Sequence, residues 1–252
     1  MIESVSLQKR FLGKRRWNAR RKNRFKDLIG LNSRRSSKKV IGLIGLSRGV
    51  GTSHLSLMLG NYLVNVLGIK TAIVCFDDGS LVDLLKQIFD RKSNSVFSKN
   101  NEEVEKFRGI THNGIDIFSH RSCENWRTLT NTYQYVIIDI SVSDYNYSKA
   151  VKDFVSCDKK IIVGSMTPYK LNECIERFKR IKTLVGKEEL SVVSMTYNKE
   201  EAKALKESFG VTIKAIPYEQ DLRVTNGSNL KWLDELIFAQ KIYHIQFNTK
   251  IK

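Results

Sequence analysis

The sequence predicts a doubly wound α/β fold with a mostly parallel sheet, and three observations carry that reading. Apolar runs of strand length recur at 40–46, 71–76, 135–140, 160–164 and 190–197. They lack polar alternation, as strands buried on both faces require. Segments of helical periodicity fall between them, the first at 54–67, where Leu55, Leu59, Tyr62, Leu63 and Val66 repeat at helical spacing. The first run also opens into a glycine loop, Gly49-Val50-Gly51-Thr52-Ser53, ahead of that helix. Strand, loop, helix, strand is the order from which doubly wound sheets are built.

Further elements follow the same logic. A helix is expected at 81–89, a short strand at 114–119, helices at 170–184 and 200–208, a last strand at 211–216, and an amphipathic helix at 230–245. The stretch 90–113 is polar and weakly patterned, and no internal repeat is visible.

The chain has 252 residues, enough for one sizeable α/β domain with a single core and some extra chain. Hydrophobic content of 41% and aromatic content of 10% suit a globular protein. The formal net charge is +17, and its distribution is uneven. Fourteen Lys and Arg residues lie within the first 39 positions against two acids, so that stretch carries +12 and the remainder only +5. The division is therefore a basic arm at 1–38 and a domain at 39–252. Arg15, Arg16, Arg20, Arg21 and Arg24, interspersed with Trp17 and Phe25, are the arm's polyanion-binding candidates. Such a segment suits an anionic membrane surface or nucleic-acid phosphates, and it equally suits a solvated tail.

Cys75, Cys123, Cys157 and Cys174 share no metal-ligand spacing and read as reduced thiols. The basic start lacks an apolar signal core, and the apolar runs are too short to span a bilayer. The expected location is the cytoplasm, with peripheral placement at the inner face of the membrane.

The glycine loop is where chemistry enters. A buried strand running through glycines into a helix N-terminus aims backbone N–H groups and the helix dipole at an anion. Gly49 and Gly51 allow the backbone to curl and approach closely. Ser53 stands where a magnesium-coordinating hydroxyl follows such a loop. The full pattern is G-x-x-x-x-G-K-[ST]; here the lysine position is Thr52 and the first glycine position is Leu46.

This run resembles the ParA/MinD family of deviant Walker ATPases, whose loop reads K-G-G-V-G-K-T-T. Aligned on its glycines, the chain reads Ser47-Arg48-Gly49-Val50-Gly51-Thr52-Ser53-His54. The segment 71–79, TAIVCFDDG, is similar to the family's second strand and first switch, with Asp77 at the second acid and Cys75 replacing the first. The segment 133–139, YQYVIID, resembles the family's Walker B strand and places its acid at Asp139. Asn198 stands where relatives often have an adenine-reading asparagine, although a turn role fits it as well. Ile216-Pro217 resembles the family's closing pair. The resemblance covers roughly 38–228 and implies a three-layer P-loop NTPase sandwich that takes ATP or ADP with Mg through Ser53 and associates as a homodimer.

Two departures bear on function. Relatives use two lysines in this loop, one on the nucleotide phosphates and one reaching across a dimer; this chain has Thr52 and Ser47 there. Phosphoryl transfer relies on positioning and charge neutralisation. Losing the central cation is expected to cost ~2.7–4 kcal/mol at the transition state. The run 48–54, followed by Leu55 and Asn61-Tyr62-Leu63, is similar to the TadZ/CpaE-like branch. That likeness implies a localisation or assembly factor with weak or absent hydrolysis, whose partners are proteins of a tight-adherence pilus or secretion apparatus. Two alternatives stand beside it: an ATP-dependent dimerisation switch in which Arg48 replaces the signature lysine, and a nucleic-acid-binding partition module acting through the arm.

Overall fold

The structure is a computed structural model, and it describes residues 38–76, 109–120, 125–141, 147–186, 190–217 and 227–238. The arm with its five candidate arginines, Asp77, Cys123 and the helix expected at 81–89 lie outside the described residues.

Strand β1 (Lys39–Gly45) begins where the basic arm ends. Helix α1 (Thr52–Asn61) follows the glycine loop and finishes in a π-helical turn, Tyr62–Val66. Strand β2 (Thr71–Cys75) is buried throughout. A short hairpin comes next, β3 (Ile110–His112) and β4 (Ile115–Ser119). Its turn residues Asn113 and Gly114 have φ of 50° and 79°, the left-handed pair that a tight two-residue hairpin needs. A 3-10 segment (Trp126–Asn131) leads into β5 (Tyr135–Ile140), all six residues of which are buried. The chain continues through α2 (Tyr147–Val155), β6 (Lys159–Gly164), α3 (Pro168–Val185), β7 (Leu190–Ser194), α4 (Lys199–Phe209), β8 (Ile213–Ala215) and α5 (Gly227–Phe238).

The sheet order is β3-β4-β2-β5-β1-β6-β7-β8. Every neighbouring pair is parallel except β3 with β4. Register fixes the layers. Ile41, Ile137 and Ile73 lie abreast, and so do Gly42, Ile138 and Val74. Successive strand residues point to opposite faces, so these two rows face opposite ways. A Cβ built on Gly60 of α1 would lie 3.0–3.1 Å from Ile115 and Ile73, which places α1 against the first row. A Cβ on Gly42 would lie 2.8 Å from Cys157 Sγ and 2.9 Å from Phe154, so α2 and the turn after it cover the other row. Helices therefore cover both faces, and the expected three-layer α/β architecture stands. The hydroxyl of Tyr62 donates to Asp234 Oδ1 at 2.9 Å, tying α5 to the α1 side.

Cys75, Cys157 and Cys174 are buried thiols. Burial pushes the Cys157 thiol up to about 12. No helix among the described residues is long and apolar enough to cross a membrane.

Several boundaries moved for local reasons. The first helix does not run uniformly to 67: Leu67 N–H donates to Tyr62 O, five residues back, and this widens its last turn. The strand expected at 190–197 stops at Ser194, whose hydroxyl lies 2.7 Å from Thr196 O and 3.1 Å from Gly164 O. The last strand keeps only Ile213–Ala215, a sheet edge that is largely exposed. Three elements had no sequence expectation: β3, the 3-10 segment and α2. β3 and the 3-10 segment, three and six residues long, are too short for a period to stand out, whereas α2 carries apolar residues at helical spacing (Tyr147, Ala150, Val151, Phe154, Val155) over only nine residues.

Candidate functional site

The site lies at the carboxyl end of β1, between β5 and β6. After β1 the chain crosses to β2 on one side, and after β6 it proceeds to β7 on the other. Loops leaving β1 and β6 therefore diverge, opening the crevice in which doubly wound sheets bind ligands. Leu46 N–H donates to Val163 O at 2.8 Å, holding the start of the β1 loop to β6.

The loop then turns through two glycines in the left-handed region, Gly49 (φ 66°) and Gly51 (φ 93°). Gly51 is the residue before α1, with ψ of 22°; no side chain caps the helix and no acid occupies its first turn. The positive end of α1 thus opens on the loop without a competing carboxylate of its own. A Cβ on Gly51 would lie 2.6 Å from Met195 Cγ, so glycine is required there by both conformation and space. Val50 and Thr52 are buried, whereas Arg48 and Gly49 are exposed at the crest.

The two lysine positions have been put to other uses. Thr52 Oγ1 would lie 2.5 Å from a Cβ on Gly45, so this short side chain turns back onto the end of β1. Ser47 is buried, and its hydroxyl donates to Glu173 Oε2 on α3 at 2.7 Å. Glu173 Oε1 in turn pairs with Arg177 at 2.9 Å. A second tie joins the same two elements: Lys170 Nζ donates to Arg48 O at 2.7 Å. Pro168 at the first position of α3, after extended Thr167, starts the helix where its first turn meets the loop.

Asp139 is the last residue but one of β5, abreast of Leu43 and Cys75 and on the α1 face, at 1% exposure. The hydroxyl of Ser56 lies 3.2 Å from Asp139 Oδ2 and 2.9 Å from Ser53 O. Ser141 Oγ lies 3.5 Å from both Asp139 Oδ1 and Ser53 Oγ. Ser53 and Asp139 therefore sit at two ends of one short hydroxyl relay. Hard oxygens of this kind suit a magnesium ion that takes most of its remaining ligands from phosphates and water.

Asn198 sits elsewhere, at the start of α4, where its Oδ1 accepts from Glu200 N–H at 2.9 Å and Glu201 N–H at 3.2 Å. That is helix capping. Asn198→Ala is expected to cost about 1 kcal/mol in urea unfolding, and Asn198→Asp is expected to retain the cap and the stability. If the side chain also reads a base, Asn198→Asp would alter preference between ATP and GTP while leaving the melt unchanged.

Structure thus gathers residues 47–53 with Asp139 and places Asn198 on a neighbouring loop. Ser56, Ser141, Lys170, Glu173 and Arg177 belong to the same neighbourhood, and no local sequence motif marks them.

No protein-family model matches the sequence, and no curated protein matches it. Solved structures do share its fold. A plasmid partition protein from Borrelia burgdorferi B31 bound to AMPPNP has 16% identity over 80% of this chain and 97% of its own, with a TM-score of 0.53. A Cyanothece McdA–ATP complex has 14% identity over 82% and 99%, with a TM-score of 0.53. MinD in the MinC:MinD cell division complex of Aquifex aeolicus has 16% identity over 72% and 82%, with a TM-score of 0.51. The fold is that of the ParA/MinD-like ATPases.

Proposed function

We propose that this chain is a nucleotide-binding member of the ParA/MinD-like fold with weak or absent hydrolysis, acting as a localisation or assembly factor. The apparatus it serves is membrane-associated, of the tight-adherence pilus or secretion type, as the likeness of residues 48–54 to the TadZ/CpaE-like branch implies. The observation that carries the weak-hydrolysis reading is the loss of both loop lysines. Thr52 folds back on Gly45 and Ser47 is bonded to Glu173, so neither position supplies charge to a phosphate.

The pocket otherwise fits a nucleotide. The crest is solvent-exposed at Gly49, Gly51 permits the turn, and the positive end of α1 faces it. Backbone amides of 49–53 would hold the phosphates, Ser53 would ligate a magnesium ion, and Asp139 would orient that ion's shell through Ser141. Bound ATP would supply a transferable phosphoryl group; Ser53 and Asp139 would hold position around it, and residues 47 and 52 would add no charge to stabilise its transfer. Neighbours of this fold have been solved with AMPPNP and ATP, which supports a nucleotide as the ligand. The basic arm, with Arg15, Arg16, Arg20, Arg21 and Arg24, would add affinity for an anionic surface.

Calorimetry with ATP and ADP in magnesium, paired with phosphate-release measurements, tests the proposal. Binding is expected, with turnover about 10²–10³-fold below that of lysine-bearing relatives measured alongside. Turnover matching those relatives would refute it, and so would absence of binding.

A further inference from the structure

We infer that Lys170, from the first turn of α3, delivers to the phosphate loop the positive charge that the loop's own sequence has lost. The inference rests on the reading above, that the loop takes a nucleotide polyphosphate, and names the residue that makes such binding selective for phosphate charge.

The position follows from topology. β1 and β6 are neighbours, and α3 begins four residues after β6 ends, so its first turn lies beside the β1 loop. Lys170 Nζ sits 2.7 Å from Arg48 O, and a Cβ on Gly49 would lie only 3.5 Å from that ammonium. The charge therefore rests on the exposed crest, at the two residues where the loop is open.

Its remaining contacts leave it available. Beyond Arg48 O, Lys170 meets the ring of Tyr169, 5.7 Å from its centroid. Among the described residues no carboxylate pairs with it. The nearest acid on its own helix, Glu173, is engaged by Ser47 and Arg177. An ammonium has three donors and the carbonyl takes one, leaving two for anionic oxygens. Lysine suits phosphate as a point charge on a flexible stem, and that stem allows the ammonium to swing from the carbonyl to a phosphate without moving α3. The second tie, Ser47 to Glu173, keeps the loop docked on the helix that carries the lysine. Arg48, the other cation at the crest, lends its carbonyl to hold Lys170, while its own side chain is solvent-exposed.

The test is calorimetry of the full-length chain with MgATP, MgADP and AMP, comparing Lys170→Gln, Lys170→Arg and Arg48→Gln with the parent, after thermal melts establish which variants fold. Lys170→Gln is expected to weaken ATP binding by about 10- to 100-fold, the range for one charge-assisted hydrogen bond. AMP should change little, so the preference for ATP over AMP collapses. Lys170→Arg retains the charge and is expected to stay within about threefold. Parental ATP affinity in a folded Lys170→Gln variant would overturn the inference while leaving nucleotide binding intact. If Lys170→Gln fails to fold, equal loss in folded Lys170→Arg and in Arg48→Gln would also overturn it. A parent chain that binds neither ATP nor ADP would overturn both this inference and the reading beneath it.

Discussion

Gly51→Val is expected to lower the unfolding free energy by about 2–4 kcal/mol and to abolish nucleotide binding. Gly51 holds φ 93° and ψ 22° immediately before α1. A side chain there costs about 1–2 kcal/mol for the left-handed backbone alone, and β-branching adds to that cost. The new Cβ would also stand 2.6 Å from Met195 Cγ and 3.3 Å from its sulfur, and forced overpacking typically costs about 1–3 kcal/mol. Methionine yields more readily than other side chains, so the lower half of that range applies. The two causes separate by experiment. Adding Met195→Ala to Gly51→Val should recover the steric share in a urea titration and none of the conformational share. Binding should stay lost in the double variant, because the loop amides remain misdirected. Full recovery of binding on shortening Met195 would show that the backbone conformation is not what the site needs.

The second large effect is in the core. Ile137→Ala is expected to cost about 2–5 kcal/mol, the range for deleting a buried aliphatic side chain where neighbours cannot collapse. Ile137 is fully buried on β5, with Ile41 and Ile73 beside it on the strands to either side and helix α1 above that row. These neighbours belong to regular elements, so relaxation into the cavity is limited. The midpoint of urea unfolding should fall with its slope unchanged, and the melting temperature by roughly 10 °C. Ile137→Val, which removes one methyl group, should cost only about 0.5–1.5 kcal/mol. Because Asp139 lies two residues along the same strand face, the alanine variant should also weaken nucleotide binding at temperatures where it is still folded. An Ile137→Ala variant as stable as the parent would mean that the α1 face is not the packed core described above.

The legible parts of the fold were those with strong short-range patterns. β5 was plain because six consecutive residues are apolar apart from one aspartate, and a strand buried on both faces has no other way to be written. β3 was missed because three residues, Ile110 to His112, carry no pattern; the Asn113-Gly114 turn beside it was the better signal. α2 was missed although Tyr147, Ala150, Val151, Phe154 and Val155 recur at i, i+3, i+4, i+7 and i+8; the pattern is clear but lasts only nine residues.

The candidate site divides along the same line. The glycines, Ser53, the absent lysines and the Walker-B-like Asp139 could be read from the sequence because each belongs to a contiguous motif whose spacing reflects local geometry. From the sequence, Asn198 remained open between two roles, and the structure assigns its oxygen to the cap of α4. Arg48 drew attention as a replacement cation only because it adjoins the motif.

Composition, apolar runs and one glycine loop were therefore enough to determine the architecture and the absence of both loop lysines. Only the tertiary structure decided what stands in their place. Ser47 meets Glu173 across 126 residues of chain, and Lys170 meets Arg48 across 122. Such neighbours depend on β6 pairing with β1 rather than on any local period. Strand order is settled by how whole elements bury their faces, and that information is spread over the chain instead of being written beside the loop.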